Sequence, residues 1–145
     1  SMDRTPTHHD AELVLRLNEL RREPVMRENR DKFLRGFWPK DEAEAVAVLA
    51  LDHPMNVAYR QVTTYWEMAF ALCRHGTLSA ELLLDSSGEG LFAYARLEPY
   101  LAAIRAKTNP RTLRSTEWIA NETAMGRTVM ETMRGRVAAA LAAKR

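Results

Sequence analysis

MNVAYRQVTTYWEMAFALCRHG, residues 55–76, decides the fold. Within it Met55, Tyr59, Val62, Trp66, Ala69, Phe70 and Cys73 recur at steps of three and four, so at 3.6 residues per turn they share one broad apolar face. Pro54 precedes the run, and Gly76 stands where a helix commonly ends in a left-handed residue. The spacing predicts a helix over about residues 55–75. A face this wide needs apolar neighbours on more than one side, which makes this the central helix of a domain.

Helical punctuation continues on both sides of it. Downstream, Ser79 caps a brief helix through Glu81, Leu82, Leu83 and Leu84, which a loop at residues 85–88 ends. Leu91, Phe92, Ala95, Tyr100, Leu101 and Ile104 carry the next pattern, and Pro99 forces a kink or a break. Asn109-Pro110 reads as a cap with proline at the first helical position. After it Leu113, Trp118 and Ile119, then Met125, Val129, Met130, Met133, Val137 and Leu141, read as one long helix or two, with Gly126 the weak point.

Upstream, Leu13, Val14, Leu17 and Leu20 mark a helix over about residues 10–23, and Pro24 opens another. That second helix sets Met26, Phe33, Leu34 and Phe37 against Arg27, Arg30, Asp31 and Arg35, with Gly36 and Pro39 closing it. Asp41, with Glu44 three residues on, caps a third helix whose expected buried face is Ala43, Val46, Ala47 and Ala50. No sustained period-two alternation and no Asn-Gly or Asp-Gly hairpin signal occurs. The expected architecture is all-α: a single-domain helical bundle of about six to eight helices and no sheet. Residues 10–145 form the domain, after a flexible tail at residues 1–9 that includes Ser1-Met2 as a tag scar.

The 145 residues are 46% hydrophobic and 28% charged with a net charge of +2, which is globular usage and too weak a charge to imply a polyanionic partner. The single cysteine, Cys73, supplies neither an internal disulfide nor a thiolate cluster. No window has the run of apolar residues that a membrane span needs, so no membrane span and a cytoplasmic location are expected. No metal and no cofactor are expected, because no Walker loop, dinucleotide fingerprint, Gly-x-Ser-x-Gly or Glu-x-x-His pattern occurs.

Ala71, Gly76 and Leu82 fall near helix-turn-helix positions, but the second helix would offer Glu81 and Asp85 to DNA phosphates, so sequence-specific DNA binding is not expected. Arg105, Lys107, Arg111 and Arg114 surround the Asn109-Pro110 helix start, where free N–H groups and guanidinium forks would favour an anion; the bland alternative is solvated arginines paired with Glu98 or Glu117. On the central helix Tyr59, Tyr65, Trp66 and Phe70 surround Glu67, which, if inward-facing, calls for a partner such as Arg96 or Arg105. Any ligand site is therefore expected between the central helix and the basic run, drawing on Trp66, Glu67, Tyr100, Arg105, Lys107, Arg111 and Arg114.

The aromatic central helix with Glu67, the RHG ending at residues 74–76, the LEPYLAAIR run at residues 97–105 and Trp118 beyond it resemble a bacterial family known only as a domain of unknown function. Members of that family often follow an N-terminal membrane helix, which this sequence lacks. The resemblance spans residues 56–117 and implies an all-helical fold, with no site to carry over.

Three functional readings follow. The first is a non-enzymatic helical interaction module that forms a homo-oligomer through its long apolar-striped helices or binds a protein partner, with the C-terminal helix as the surface if Met125, Met130 and Met133 are exposed. The second is a binding protein for a small anionic or aromatic ligand. The third is an enzyme without a recognisable motif, which would need Glu67, His75 or Tyr100 in a closed pocket.

Overall fold

The computed structural model describes residues 4–144. Among them every regular element is helical: α1 (His8–Arg21), α2 (Pro24–Gly36), α3 (Glu42–Ala47), α4 (Asn56–Arg74), α5 (Ala80–Ser86), α6 (Glu89–Leu97), α7 (Leu101–Lys107), α8 (Arg114–Glu122) and α9 (Ala124–Ala143). A 3-10 turn, Glu98–Tyr100, carries Pro99 and joins α6 to α7. Six helices have nine residues or more, and α3, α5 and α7 are short. The all-α reading holds.

Helix α4 is the axle. It packs on α2 and α8 and, through Trp66 and Phe70, lies under α6; α6 and α8 in turn carry α9, while α1 rests on α5 and α3 on α7. The face read from sequence is the buried one: Tyr59, Val62, Trp66, Ala69, Phe70 and Cys73 are all buried. Gly76 takes φ 80°, a left-handed conformation that an L side chain resists, and so turns the chain out of α4.

Three local expectations are corrected. Helix α3 buries Ala45, with Val48 beyond its end, while Ala43, Ala47 and Ala50 face solvent; the helix is so short that its packing against α7, and not its own periodicity, selects the buried side. Asn109-Pro110 does not start a helix. Residues 109–113 form turns, and α8 begins only at Arg114, after Leu113 adopts φ 60°. At the N-terminus Ser1-Met2 lies outside the described residues, but Arg4 forks onto Asp10 at 2.6 and 2.7 Å, and Asp10 accepts from the backbone of Thr7 and of Ser79. These bonds, Arg4 foremost, hold the Asp10 carboxyl well below the usual carboxylate range. They start α1 two residues earlier than the apolar pattern indicates.

Two features hold α2 and α6 in place. Arg96, 2% exposed, donates through Nη1 to the carbonyls of Phe33, Leu34 and Phe37 at 3.2, 3.1 and 2.8 Å, which caps the end of α2. Its guanidinium lies 3.6 Å from the Trp38 ring centre and 4.6 Å from that of Phe92. Burial pulls it down to about 10, and Nε and Nη2 have no hydrogen-bond partner among the described residues. The aromatic faces therefore supply the balancing negative potential that a carboxylate ordinarily would. Elsewhere, Glu89 of α6 accepts from Arg30 and from Trp66 Nε1 at 2.9 Å, with Arg21 3.8 Å away, and so ties α1, α2, α4 and α6 together.

Burial pushes the Cys73 thiol and the Tyr59 phenol up to about 12. In the unfolded chain they ionise near 8.5 and 10, so above about pH 8 the unfolded state binds fewer protons than the folded one and stability falls as pH rises. Urea midpoints should hold steady up to about pH 8 and then drop by the equivalent of about 3 kcal/mol by pH 10.5. At neutral pH a thiol reagent should label Cys73 only after unfolding.

Candidate functional site

Along one side of α4 the sequence places Asn56, Arg60, Thr63, Thr64 and Glu67, a polar line at helical spacing beside the apolar face. The end of α7 and the turns that follow it stand opposite. Between them is a solvent-open cleft of about 470 Å³, bounded by Leu49, Tyr59 and the α4 line on one side and by Lys107, Thr108, Asn109, Arg111, Thr112 and Leu113 on the other. That volume suits a small organic molecule.

The wall at residues 108–113 is tied down bond by bond. Thr108 donates its backbone N–H and its Oγ1 to the Ile104 carbonyl, closing α7, and its hydroxyl meets that of Thr112 at 2.6 Å. Asn109 Oδ1 accepts from the Arg111 N–H at 2.8 Å, a local side-chain turn. Arg105 acts as the strut: its Nε donates to the Thr112 carbonyl at 2.9 Å and its Nη2 to Glu117 at 3.0 Å, pinning the turn to α8. Leu113 then buries its side chain at the cost of a left-handed backbone, a strain of about 1–2 kcal/mol.

Glu67 caps α8 from outside that helix. Its Oε2 accepts from Ser115 N at 2.8 Å, and its Oε1 from Thr116 N at 2.9 Å and Thr116 Oγ1 at 2.8 Å. Leu113 has no side-chain group to cap the helix, so the orphan N–H groups and the positive end of the helix dipole take their carboxylate from α4. The anion subsite that the sequence suggested at a helix start exists at Arg114 in place of Asn109-Pro110, and Glu67 fills it. No arginine is needed to neutralise Glu67.

Of the seven residues expected at a ligand site, the fold brings together Glu67, Lys107 and Arg111. Trp66 faces the opposite way, buried against Tyr65 and Phe70 with its N–H on Glu89. Tyr100 packs half-buried on the core, Arg105 is a strut, and Arg114 is exposed on a shallow surface with Arg74, Trp118 and Asn121. Arg60, Thr63, Thr64 and Tyr59 belong to the cleft and were missing from the expected set. The polar line at residues 56, 60, 63, 64 and 67 was the signal that would have found them. Arg60, Lys107 and Arg111 are exposed and have no carboxylate partner among the described residues, although Arg60 Nε donates to Asn56 Oδ1 at 2.9 Å. Among the described residues no group of three His, Cys, Asp or Glu side chains is placed to hold a metal, and no helix is long and apolar enough to cross a membrane.

Compared with known proteins, the chain matches no curated protein and no solved structure. Residues 6–123 match the family model described as a domain of unknown function, DUF4760, a span that includes α4, the cleft and all of α8. The chain therefore belongs to the DUF4760 family.

Proposed function

We propose that this protein binds a small organic anion in the cleft between α4 and the 107–113 wall. The observation that carries this reading is the convergence of three cations without carboxylate partners, Arg60, Lys107 and Arg111, on one cleft with a partly apolar lining. The single carboxylate there, Glu67, has both oxygens engaged by α8, so it neither neutralises the cations nor serves readily as a general base. That disfavours a catalytic reading of the cleft. A self-associating module draws less support: on α9 Met130, Met133 and Val137 are buried, with Val129 and Leu141 half-buried, so the stripe it relies on is spent inside the domain.

A thermal-shift screen of carboxylated and phosphorylated small molecules tests the reading. A ligand at ten times its Kd should add about 1.4 kcal/mol, a rise of about 3–6 °C for a chain of this size. The Lys107→Gln/Arg111→Gln variant, altered only at exposed positions, should keep its own Tm and lose that rise. No shift with any anion at millimolar concentration, or an undiminished shift in the variant, would overturn it.

A further inference from the structure

We infer that the ligand is an amphiphilic phosphomonoester, with its dianionic head at the Leu49 side of the cleft and an apolar tail lying along α4 toward Glu67. This rests on the anion reading above and narrows it.

Charge comes first. Three cations face one carboxylate, and that carboxylate is already neutralised by the N-terminus of α8. The surplus suits a group of charge near minus two at neutral pH, which a phosphomonoester carries and a carboxylate or a sulfate ester does not.

Direction comes next. Arg60 Nε donates to Asn56 Oδ1, one turn back along α4, so the guanidinium leans toward Asn56 and Leu49 while its two terminal nitrogens have no partner among the described residues. Lys107 also borders a groove with Ala43, Val46 and Ala47 of α3, and Leu49 follows α3 by two residues. Both cations therefore gather at the Leu49 side. Glu67 lies eleven residues beyond Asn56 on α4, about 16 Å away at 1.5 Å per residue. An anionic head is drawn to the first end, whereas at the second Glu67 offers it acceptor oxygens only and no donor.

The stretch between the two ends is less polar than its residue names suggest. Thr63 Oγ1 donates to the Tyr59 carbonyl at 2.7 Å and Thr64 Oγ1 to that of Arg60, while the hydroxyls of Thr108 and Thr112 engage each other. With those hydroxyls turned to protein partners, and with an edge of Tyr59, packed on Phe33 and Phe37, and of Leu113 reaching the cleft, the lining between the two ends is largely apolar. A hydrocarbon chain covers such a lining without leaving a polar group unpaired.

Titration calorimetry with n-alkyl phosphates from ethyl to octyl, each kept monomeric, is the test. Affinity should rise about two- to threefold per methylene, less than the roughly fourfold of full burial because the cleft is open on one side, and level off once the chain spans it. Octanoate and octyl sulfate should bind at least tenfold more weakly than octyl phosphate. Arg60→Gln should weaken every alkyl phosphate about tenfold and keep the chain-length slope, whereas Thr64→Asp, at the exposed rim, should flatten the slope; circular dichroism checks that both fold. Equal binding of octanoate and octyl phosphate, or no chain-length slope, would overturn this inference and leave the anion reading standing. Failure of every anion to bind would overturn both. Capture on phosphatidic-acid vesicles without binding of soluble alkyl phosphates would overturn it in favour of a membrane headgroup.

Discussion

Gly126→Ala should cost at least about 3 kcal/mol and lower Tm by about 10 °C or more, although it places the best helix former near the start of a helix. The reason is the corner between α8 and α9. Thr123 Oγ1 donates to the Ile119 carbonyl at 2.8 Å and accepts from the Gly126 N–H at 2.9 Å, which folds the two helices so tightly that a Cβ on Gly126 would sit 1.8 Å from the Ile119 oxygen. That oxygen is backbone and cannot swing aside, so relief requires α9 to lift off α8 and α6 and expose Met130, Met133 and Val137. Gly135→Ala supplies the matched comparison. It lies on the same helix with nothing within 4 Å of the added methyl, and the same change there should be neutral or stabilising by up to about 1 kcal/mol. Denaturant melts of the two variants side by side check the pair, and equal effects would refute the tight corner.

Glu89→Ala ranks second, at about 3 kcal/mol. The carboxylate is 9% exposed and accepts from Arg30 Nε and Nη2 as well as from the Trp66 indole. Deleting it strands the Arg30 charge, 23% exposed, and an indole N–H in a buried setting. The partial exposure of Arg30 places the cost at the lower end of the range for broken buried pairs. Pairing the change with Arg30→Met should recover about 1–2 kcal/mol, since the stranded cation goes too. Trp66 emission reports the same event locally, because the indole N–H loses the hydrogen-bond acceptor it has among the described residues. Additive single-variant costs would show that Arg30 and Glu89 are not coupled.

What the sequence made legible was whatever depends on periodicity within one helix. The buried face of α4, the Asp41 cap with its 2.9 Å bond from Glu44, the Ser79 cap and the left-handed Gly76 all follow from residues near one another in the chain. The misplaced features depend on geometry between elements. Proline after asparagine signals a helix start on local grounds, yet the hydrogen bonds of Thr108, Asn109 and Arg105 hold residues 109–113 as turns until the Ser115 and Thr116 N–H groups reach Glu67, 48 and 49 residues back. Met130 and Met133 lie on a stripe that sequence leaves free to face a partner; α6 and α8 cover it. The ligand residues divided the same way. Lys107 and Arg111 were legible as a basic run, and the Glu117 pairing weighed for that run is the one Arg105 makes, but nothing local tells that Arg105 also holds the Thr112 carbonyl or that Trp66 turns away from its neighbour Glu67.

The clamp formed by Arg96 stores its information in the path of the chain and not in the identity of its partners. All three groups it grips are main-chain carbonyls, of Phe33, Leu34 and Phe37, so exchanging any of those side chains leaves the acceptor in place as long as α2 ends where it does. Positions 33, 34 and 37 can therefore change residue type without breaking these hydrogen bonds, as long as position 96 stays arginine. The main-chain part of this long-range tie is thus invisible to any method that infers proximity from paired substitutions, and the aromatic faces of Trp38, Phe92 and, at 5.5 Å, Phe33 tether it to particular residue types.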